Sequence, residues 1–85
     1  MNPNSKIILN AVYCTKCHAI AESTHRHDFS PCECGAIYAD GGKEYLRRVG
    51  DIHGCIDVSL YEGQEDILER YRKMGKAALL EAFVA

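Results

Sequence analysis

The chain has 85 residues, of which 47% are hydrophobic and 26% are charged, which suits a single small domain and argues against disorder. The sequence contains neither an apolar run of bilayer length nor the apolar segment of a signal peptide, so we expect a cytoplasmic protein without a membrane partner. The formal net charge of −2 disfavours non-specific binding to nucleic acid, because that binding neutralises phosphates with Lys and Arg.

The first part of the chain predicts a β-hairpin followed by a loop. Residues 6–13 are β-branched and apolar, and they predict a strand that leads into Cys14. Residues 19–22 can form the antiparallel partner of this strand. Residues 23–31 are polar and end in a proline, which predicts a connecting loop.

A second hairpin and a further strand are predicted next. The Asp-Gly-Gly segment at 40–42 tolerates the backbone angles of tight turns, and it separates two hairpin arms at residues 36–39 and 44–49. Residues 43–48 can alternatively form one helical turn. Residues 51–62 contain an alternating segment and predict one strand.

Residues 63–84 change to the period of a helix. Apolar side chains recur in steps of three and four from Ile67 to Phe83, which predicts one amphipathic α-helix with an acidic first turn. Gly75 weakens this helix and marks a kink or a close contact. The last residues are apolar on nearly every side, so the helix is buried on two faces or packs against another chain. A homodimer contact there would use Leu79, Leu80, Phe83 and Val84.

Four of the five cysteines form two close pairs, Cys14-x2-Cys17 and Cys32-x-Cys34, separated by fourteen residues. This spacing is close to that of zinc sites, in which two turns each bring two thiolates to one ion. Gly35 supports the assignment, because the residue after a second ligand often needs a backbone angle that glycine reaches without steric cost. The pattern predicts one structural Zn²⁺.

Other sites remain open at this level. His27 or His25 can replace one cysteine in a Cys₃His site, and an iron–sulfur cluster, a reversible disulfide or unbound thiols are further alternatives. Cys55, alone in its predicted strand, is expected to be a small buried apolar side chain.

Enzymatic activity is not expected. A catalytic zinc keeps an open position beside a general acid or base, whereas four cysteines fill the coordination shell. The sequence also lacks the His-x-Glu motif of zinc deaminases, a glycine-rich phosphate loop and a nucleophile elbow.

Together these patterns predict one α+β domain over residues 1–85. Zinc ribbon-like β-hairpins are expected at 12–50, a strand at 51–62 and one C-terminal amphipathic α-helix at 63–84.

The motifs CTKC, HRHDF, CECG, DGG and YLRR occur in this order between residues 12 and 51. In this series the sequence resembles a family of small zinc-ribbon-like proteins of bacteriophages and prophages. The resemblance implies a zinc ribbon fold and a bacterial host cell as the setting. It implies no particular mechanism.

The first functional hypothesis is a non-enzymatic zinc-binding protein that binds, and inhibits or modulates, a host macromolecule. A bacterial defence complex such as CRISPR–Cas is an example, and a host or phage protein complex is the expected partner. The hypothesis depends on small size, the lack of catalytic groups, the phage resemblance and an acidic second half, in which residues 49–85 carry seven acidic and four basic residues.

Two alternatives belong to other classes. A nucleic-acid-binding ribbon that acts as a regulator would use basic and aromatic side chains for phosphate contact and base stacking. The candidate contact residues, for nucleic acid or for another partner, are His25, Arg26, His27, Phe29, Tyr45, Arg47 and Arg48. A thiol redox switch would use Cys14 and Cys17.

Overall fold

The computed structural model describes residues 6–84, without the side chain of Val84. Seven short strands, one turn of 3₁₀-helix at Ile52–Gly54 and two α-helices form within this part of the chain. The strands and helices are β1 (Ile7–Cys14), β2 (Ile20–Ser23), β3 (Ser30–Pro31), β4 (Ile37–Asp40), β5 (Arg47–Gly50), β6 (Cys55–Asp57), β7 (Leu60–Tyr61), α1 (Glu65–Met74) and α2 (Lys76–Val84). They build the predicted α+β fold from two small antiparallel sheets and a C-terminal helical region.

The longest strand, β1, is the centre of the first sheet. It pairs with β2 along one edge and with β6 and β7 along the other, always antiparallel. Because successive side chains of a strand point to opposite faces, β1 contributes to two separate cores. Leu9 and Ala11 belong to the core under the helices, whereas Val12 and Cys14 belong to the core shared with the second sheet. The pairing of β1 with β2 confirms the predicted first hairpin.

The second sheet has the order β3, β4, β5, and β4 lies against β1 and β2 of the first sheet. Ile37 and Ala39 of β4 point inward and are completely buried. The antiparallel pairing of β4 with β5 is the predicted second hairpin, although β5 begins at Arg47 and the alternative helical turn does not form. The end of the predicted loop pairs with β4 as β3.

The strand predicted over residues 51–62 begins only at Cys55, after the 3₁₀-helix at Ile52–Gly54, and it is divided into β6 and β7. Both pair with β1, but the strand is interrupted at Val58 and Ser59. At this point Ser59 Oγ accepts a hydrogen bond of 3.1 Å from the Ala11 N–H, where a regular ladder would use a backbone carbonyl. The prediction of one continuous strand is wrong here because a side-chain hydroxyl substitutes for the backbone.

The C-terminal region contains two helices, so the prediction of one helix over residues 63–84 is wrong. Gly75 follows α1 with φ 88° and ψ −169°, a conformation that is essentially confined to glycine. The chain reverses at this residue, since Asp66 and Ile67 near the start of α1 line one cleft with Ala82 near the end of α2. The apolar period continues across Gly75, so periodicity by itself could not reveal the reversal.

The two helices pack as a pair against the first sheet. Leu79 is completely buried among Leu9, Ala11 and Leu60. Glu22 of β2 accepts two hydrogen bonds from the Arg72 guanidinium, at 2.8 and 2.6 Å, which add a polar contact beside this core. Neither helix in the described part of the chain has the length and apolar character needed to cross a membrane.

Candidate metal centre

The four cysteines predicted as ligands lie together where the two sheets meet. Their sulfur atoms all lie within 4.8 Å of one another, and all four residues are free thiols. Cys34 Sγ is 3.7 Å from Cys14 Sγ and 3.6 Å from Cys32 Sγ. Four sulfurs placed tetrahedrally at about 2.3 Å from one ion stand about 3.8 Å apart. The cluster, which Cys17 completes, therefore has the dimensions of a four-coordinate metal site.

Each cysteine pair lies in a turn that is closed by the same backbone hydrogen bond. The N–H of the residue after the second cysteine donates to the carbonyl of the first, from His18 to Cys14 at 2.9 Å and from Gly35 to Cys32 at 3.0 Å. Gly35 has a φ of 76°, as its position predicted. His18 has a φ of 63° and occupies the equivalent position in the first turn, which sequence reasoning missed. Its place directly after Cys17 was the available signal.

Backbone amides and neighbouring thiols shift the pKa values of the cluster. Burial opposes ionisation of Cys32, but the Ile37 amide and the adjacent thiols outweigh burial and lower its pKa to about 6. Burial opposes ionisation of Cys17 as well, but the Cys34 amide and other donors lower its pKa. Although the Ala36 amide favours the Cys34 thiolate, desolvation and the neighbouring thiols raise the pKa of Cys34 to about 11. A cation at the centre would stabilise all the thiolates together, which suits a metal site.

The alternative histidine ligands are not part of the cluster. Among residues 6–84, the group that can hold a metal consists of the four cysteines. His25 and His27 follow the end of β2 that is remote from Cys17, and His25 Nδ1 lies 3.3 Å from Thr24 Oγ1. The Cys₃His alternative is therefore not formed in the structure.

Cys55 lies beside the cluster without belonging to it. In the ladder between β1 and β6 it is directly opposite Cys14, and its side chain packs against the core that contains the cluster. It is half-buried, not fully buried as the sequence predicted, and its thiol donates a hydrogen bond of 3.2 Å to the Ile52 carbonyl. Burial raises the pKa of this thiol.

Six of the seven candidate contact residues are exposed, and they lie in two neighbouring loops or, in the case of Arg47, at the first residue of β5. Residues 24–29 and 41–47, which we call the loop end, lie at the opposite end of β2 and β4 from the cysteines. Gly42 brings the two loops into backbone contact, because a Cβ at this residue would stand 2.3 Å from the carbonyl carbon of His25. The exposed members are His25, Arg26, His27, Phe29, Tyr45 and Arg47.

Arg48, the seventh candidate contact residue, is not available at the surface. Its side chain is 15% exposed and lies between the two sheets. The guanidinium donates to Asn10 Oδ1, the Ala11 carbonyl, Asp57 Oδ1 and Ser59 Oγ at 2.7 to 3.0 Å. The prediction of a surface contact is wrong for this residue because its charge is used inside the fold.

Sequence reasoning also missed Asn10, a buried polar residue in the middle of β1. Its amide nitrogen lies 2.9, 2.8 and 3.0 Å from the carbonyl oxygens of Asp40, Gly42 and Tyr45. The residue therefore joins the first sheet to the loop that follows β4. An asparagine within an otherwise apolar strand was the signal that could have revealed it.

The residues of the predicted homodimer contact differ in burial. Leu79 is completely buried inside this chain, whereas Leu80 is half-buried and packs against the core under the helices. Phe83 is 41% exposed. Val84 lies outside the side chains that the structure describes.

Comparison with known families identifies a family to which the first part of the chain is similar. Residues 6–50 match the family described as a domain of unknown function, DUF7695. The match covers more than half of the chain and includes β1 to β5 with all four clustered cysteines. No curated protein and no solved structure matches the chain. The chain therefore belongs to the DUF7695 family.

Proposed function

We propose that the four cysteines hold one structural Zn²⁺ and that the chain is a zinc-stabilised binding module. The cluster of four sulfurs within 4.8 Å supports this proposal most directly. Zn²⁺ prefers tetrahedral sites, and thiolates are among its usual ligands. With all four positions taken by Cys14, Cys17, Cys32 and Cys34, the ion has no place for a substrate. Its role is to join the two sheets.

The proposed zinc site can be tested by metal analysis of the purified protein and of matched variants. We expect one zinc per chain, and loss of that zinc in Cys17→Ser and Cys34→Ser. His25→Ala, His27→Ala and Cys55→Ser are controls that change the alternative ligands or the fifth thiol, and each should keep its zinc. Replacement by Co²⁺ should give the visible absorption of a tetrahedral thiolate site.

The outcomes separate the alternatives. If the isolated protein contains iron and absorbs strongly in the visible range, the cysteines hold an iron–sulfur cluster and the zinc assignment is wrong. Loss of zinc in a histidine variant would contradict the ligand set. A protein that is isolated without metal, and remains equally stable when zinc is added, would overturn the proposal.

We further propose that the module binds a host macromolecule through the loop end, with a protein complex of a bacterial host as partner. The loop end carries Arg26, whose side chain is 65% exposed, and Phe29, which is 48% exposed as a whole residue. Its backbone is held by hydrogen bonds from Asn10 and by the close approach of Gly42 to His25. Exposed side chains on a fixed backbone lose little entropy on binding, which favours a contact surface.

A matched pair of surface variants tests this assignment in affinity purification from the bacterial host. The loop-end variant combines Arg26→Glu with Phe29→Ala, and the control combines Arg70→Glu with Met74→Ala on α1. We expect the wild type and the control to recover the same protein and the loop-end variant to lose it. Recovery of the same partner by all three proteins would contradict the loop end, and recovery of none would contradict the binding module.

One observation favours nucleic acid as a second candidate partner. The Phe29 ring stacks on Tyr38 with centroids 4.4 Å apart and planes 13° apart, and Phe29 remains half-exposed. Arg47, 62% exposed at its side chain, lies on the same face of the sheet, because Tyr38 faces Val49 and residue 47 is two positions along β5. An aromatic side chain beside an arginine can stack bases and contact phosphate.

Titration with labelled single-stranded DNA and RNA at low salt decides between the two partners. Binding weaker than about 100 µM, the weak end of non-specific affinity, would exclude nucleic acid. If binding is tighter, Phe29→Ala and Arg47→Glu should weaken it. Arg70→Glu on α1 is the matched charge reversal and should leave binding unchanged.

A further inference from the structure

Cys55 and Cys14 occupy the type of paired position in the β-ladder at which two opposite side chains lie closer together. They are directly opposite each other in the antiparallel pair of β1 and β6. The next pair along the ladder, Thr15 with Gly54, is joined by a backbone hydrogen bond of 3.0 Å. Hydrogen-bonded and non-hydrogen-bonded residue pairs alternate along an antiparallel ladder. Cys14 and Cys55 therefore form a non-hydrogen-bonded pair, with Cα atoms about 4.5 Å apart. This separation lies within the range that a disulfide requires.

The surroundings of Cys55 differ from those of the four clustered cysteines. It packs against the same core as Cys14, Cys17 and Cys32, but its sulfur does not belong to the cluster of four that can hold a metal. Its thiol donates to the carbonyl of Ile52, the first residue of the 3₁₀-helical turn, and the side chain is only half-buried. A small oxidant can reach this sulfur, and the side chains of Cys55 and Cys14 lie on the same face of the sheet because the two residues are directly opposite each other.

We propose that Cys14 and Cys55 are an oxidation site, in which a peroxide converts the two sulfurs into a cross-strand disulfide. One S–S bond forms and the O–O bond of hydrogen peroxide breaks. The two electrons given up by the sulfurs reduce the peroxide to two waters. Of the two protons needed, one comes from the Cys55 thiol, and the other comes from the Cys14 thiol or, when Cys14 is a metal-bound thiolate, from solvent.

The disulfide removes one of the four sulfurs from the cysteine cluster that can hold the metal. Cys14 can no longer act as a thiolate ligand once its sulfur is bonded to Cys55, so three cysteines remain for the ion. This second part of the inference rests on the proposed zinc site, whereas the disulfide itself does not. The site differs from a switch between Cys14 and Cys17, in which both sulfurs would be metal ligands.

Peptide mapping tests the disulfide directly in the full chain as isolated. After treatment with hydrogen peroxide, free thiols are alkylated and the unreduced protein is digested with trypsin. Cleavage after Lys and Arg places Cys14 in residues 7–16, Cys17 in 17–26, the Cys32–Cys34 pair in 27–43 and Cys55 in 49–70. We expect the peptides 7–16 and 49–70 to become cross-linked first, with the loss of two hydrogen masses, and to separate on reduction.

The Cys55→Ser variant is the matched control. Before oxidation it should have the same circular dichroism and zinc content as the wild type. On peroxide treatment it should lack the cross-linked peptides, and it should retain zinc at peroxide concentrations that release zinc from the wild type.

The results that would overturn the inference are distinct. A first disulfide among the clustered cysteines, or no disulfide at all, would exclude the Cys14–Cys55 site. Zinc release from Cys55→Ser at the wild-type rate would overturn its effect on the metal. If the protein is isolated without zinc, the proposed zinc site fails, but the cross-linked peptides still decide whether the cysteine pair is an oxidation site.

Discussion

Arg48 Nη1 of β5 donates a hydrogen bond of 2.7 Å to Asn10 Oδ1 of β1, and this contact joins the two sheets. The two residues lie 38 positions apart in the sequence. The four clustered cysteines lie where the same two sheets meet, near the ends of β1 and β3. The two sheets thus meet at a thiol cluster at one end and at a buried polar pair nearer the other end.

Asn10→Ala should destabilise the protein by about 3 kcal/mol, because it leaves buried carbonyls without their donor and removes one of the acceptors of the Arg48 guanidinium. Urea unfolding of the zinc-loaded protein measures the change. Glu44→Ala, at an exposed side chain, is the control and should change stability by less than about 0.5 kcal/mol. Equal effects of the two substitutions would mean that Asn10 does not connect the sheets.

Adjacent arginines provide a second comparison. Arg48→Lys should cost about 2 kcal/mol, because an ammonium cannot reproduce the bonds that one guanidinium makes to Asn10, Ala11, Asp57 and Ser59.

Arg47→Lys, at the 62% exposed neighbour, should change the unfolding free energy by less than about 0.5 kcal/mol. Thermal unfolding of both variants under the same zinc concentration provides the measurement. A larger loss for Arg47→Lys than for Arg48→Lys would contradict the inward position of Arg48.

Gly42→Ala should lower the free energy of unfolding by more than the strain at its backbone angle accounts for. Gly42 and Gly63 both have positive φ, at 55° and 103°, so alanine is strained at either position by about 1–2 kcal/mol. At Gly42 the new Cβ would also lie 2.3 to 2.6 Å from the backbone of His25, whereas a Cβ at Gly63 would meet no atom within 4 Å apart from its neighbours in the chain. We expect a total cost above about 3 kcal/mol for Gly42→Ala, measured by denaturant unfolding. Equal costs at the two glycines would show that the two loops can separate freely.

Removal of the metal by a chelator should loosen both cysteine turns together. In the zinc-bound protein the ion would hold Cys14 and Cys17, at the β1–β2 hairpin of the first sheet, to Cys32 and Cys34 beside the second, so its loss removes a connection between sheets. Hydrogen exchange should become faster at the amides of His18 and of the equivalent turn residue after Cys34. Exchange that changes in one turn and not in the other would contradict a shared ion.

Zinc retention should fall as the pH falls, because the ligands bind as thiolates and protons compete with the ion. Near neutral pH, Cys34, with its pKa raised to about 11, must release a proton on binding. Below about pH 6, Cys32 must release one as well, since its pKa in the metal-free fold is about 6, so retention should fall more steeply there. Competition with a chromophoric chelator between about pH 8 and 5 measures this dependence. An affinity that stays constant over this range would contradict thiolate ligation.

The cysteine spacing and the strand patterns were sufficient to predict the cluster of four cysteines and two hairpins. Close pairs such as Cys14 and Cys17 bring their sulfurs together through a local turn, and a strand such as β1 follows from a short apolar run. These features depend on neighbours in the chain. For the same reason Gly35 could be assigned its left-handed conformation from its position after a cysteine.

The remaining features depend on contacts between distant segments, and only the tertiary structure decided them. The sequence marks Asn10 as unusual within an apolar strand, but it shows neither its partners nor the burial of Arg48, which arise when the two sheets enclose them. Cys55 gains its neighbour Cys14 only when β6 pairs with β1 in one particular register. Periodicity describes one helix face but not a reversal at Gly75, so it could not decide whether Leu79 is buried inside this chain or against another one. Local spacing therefore determined the candidate metal site, whereas long-range pairing and packing decided which other side chains remain available for function.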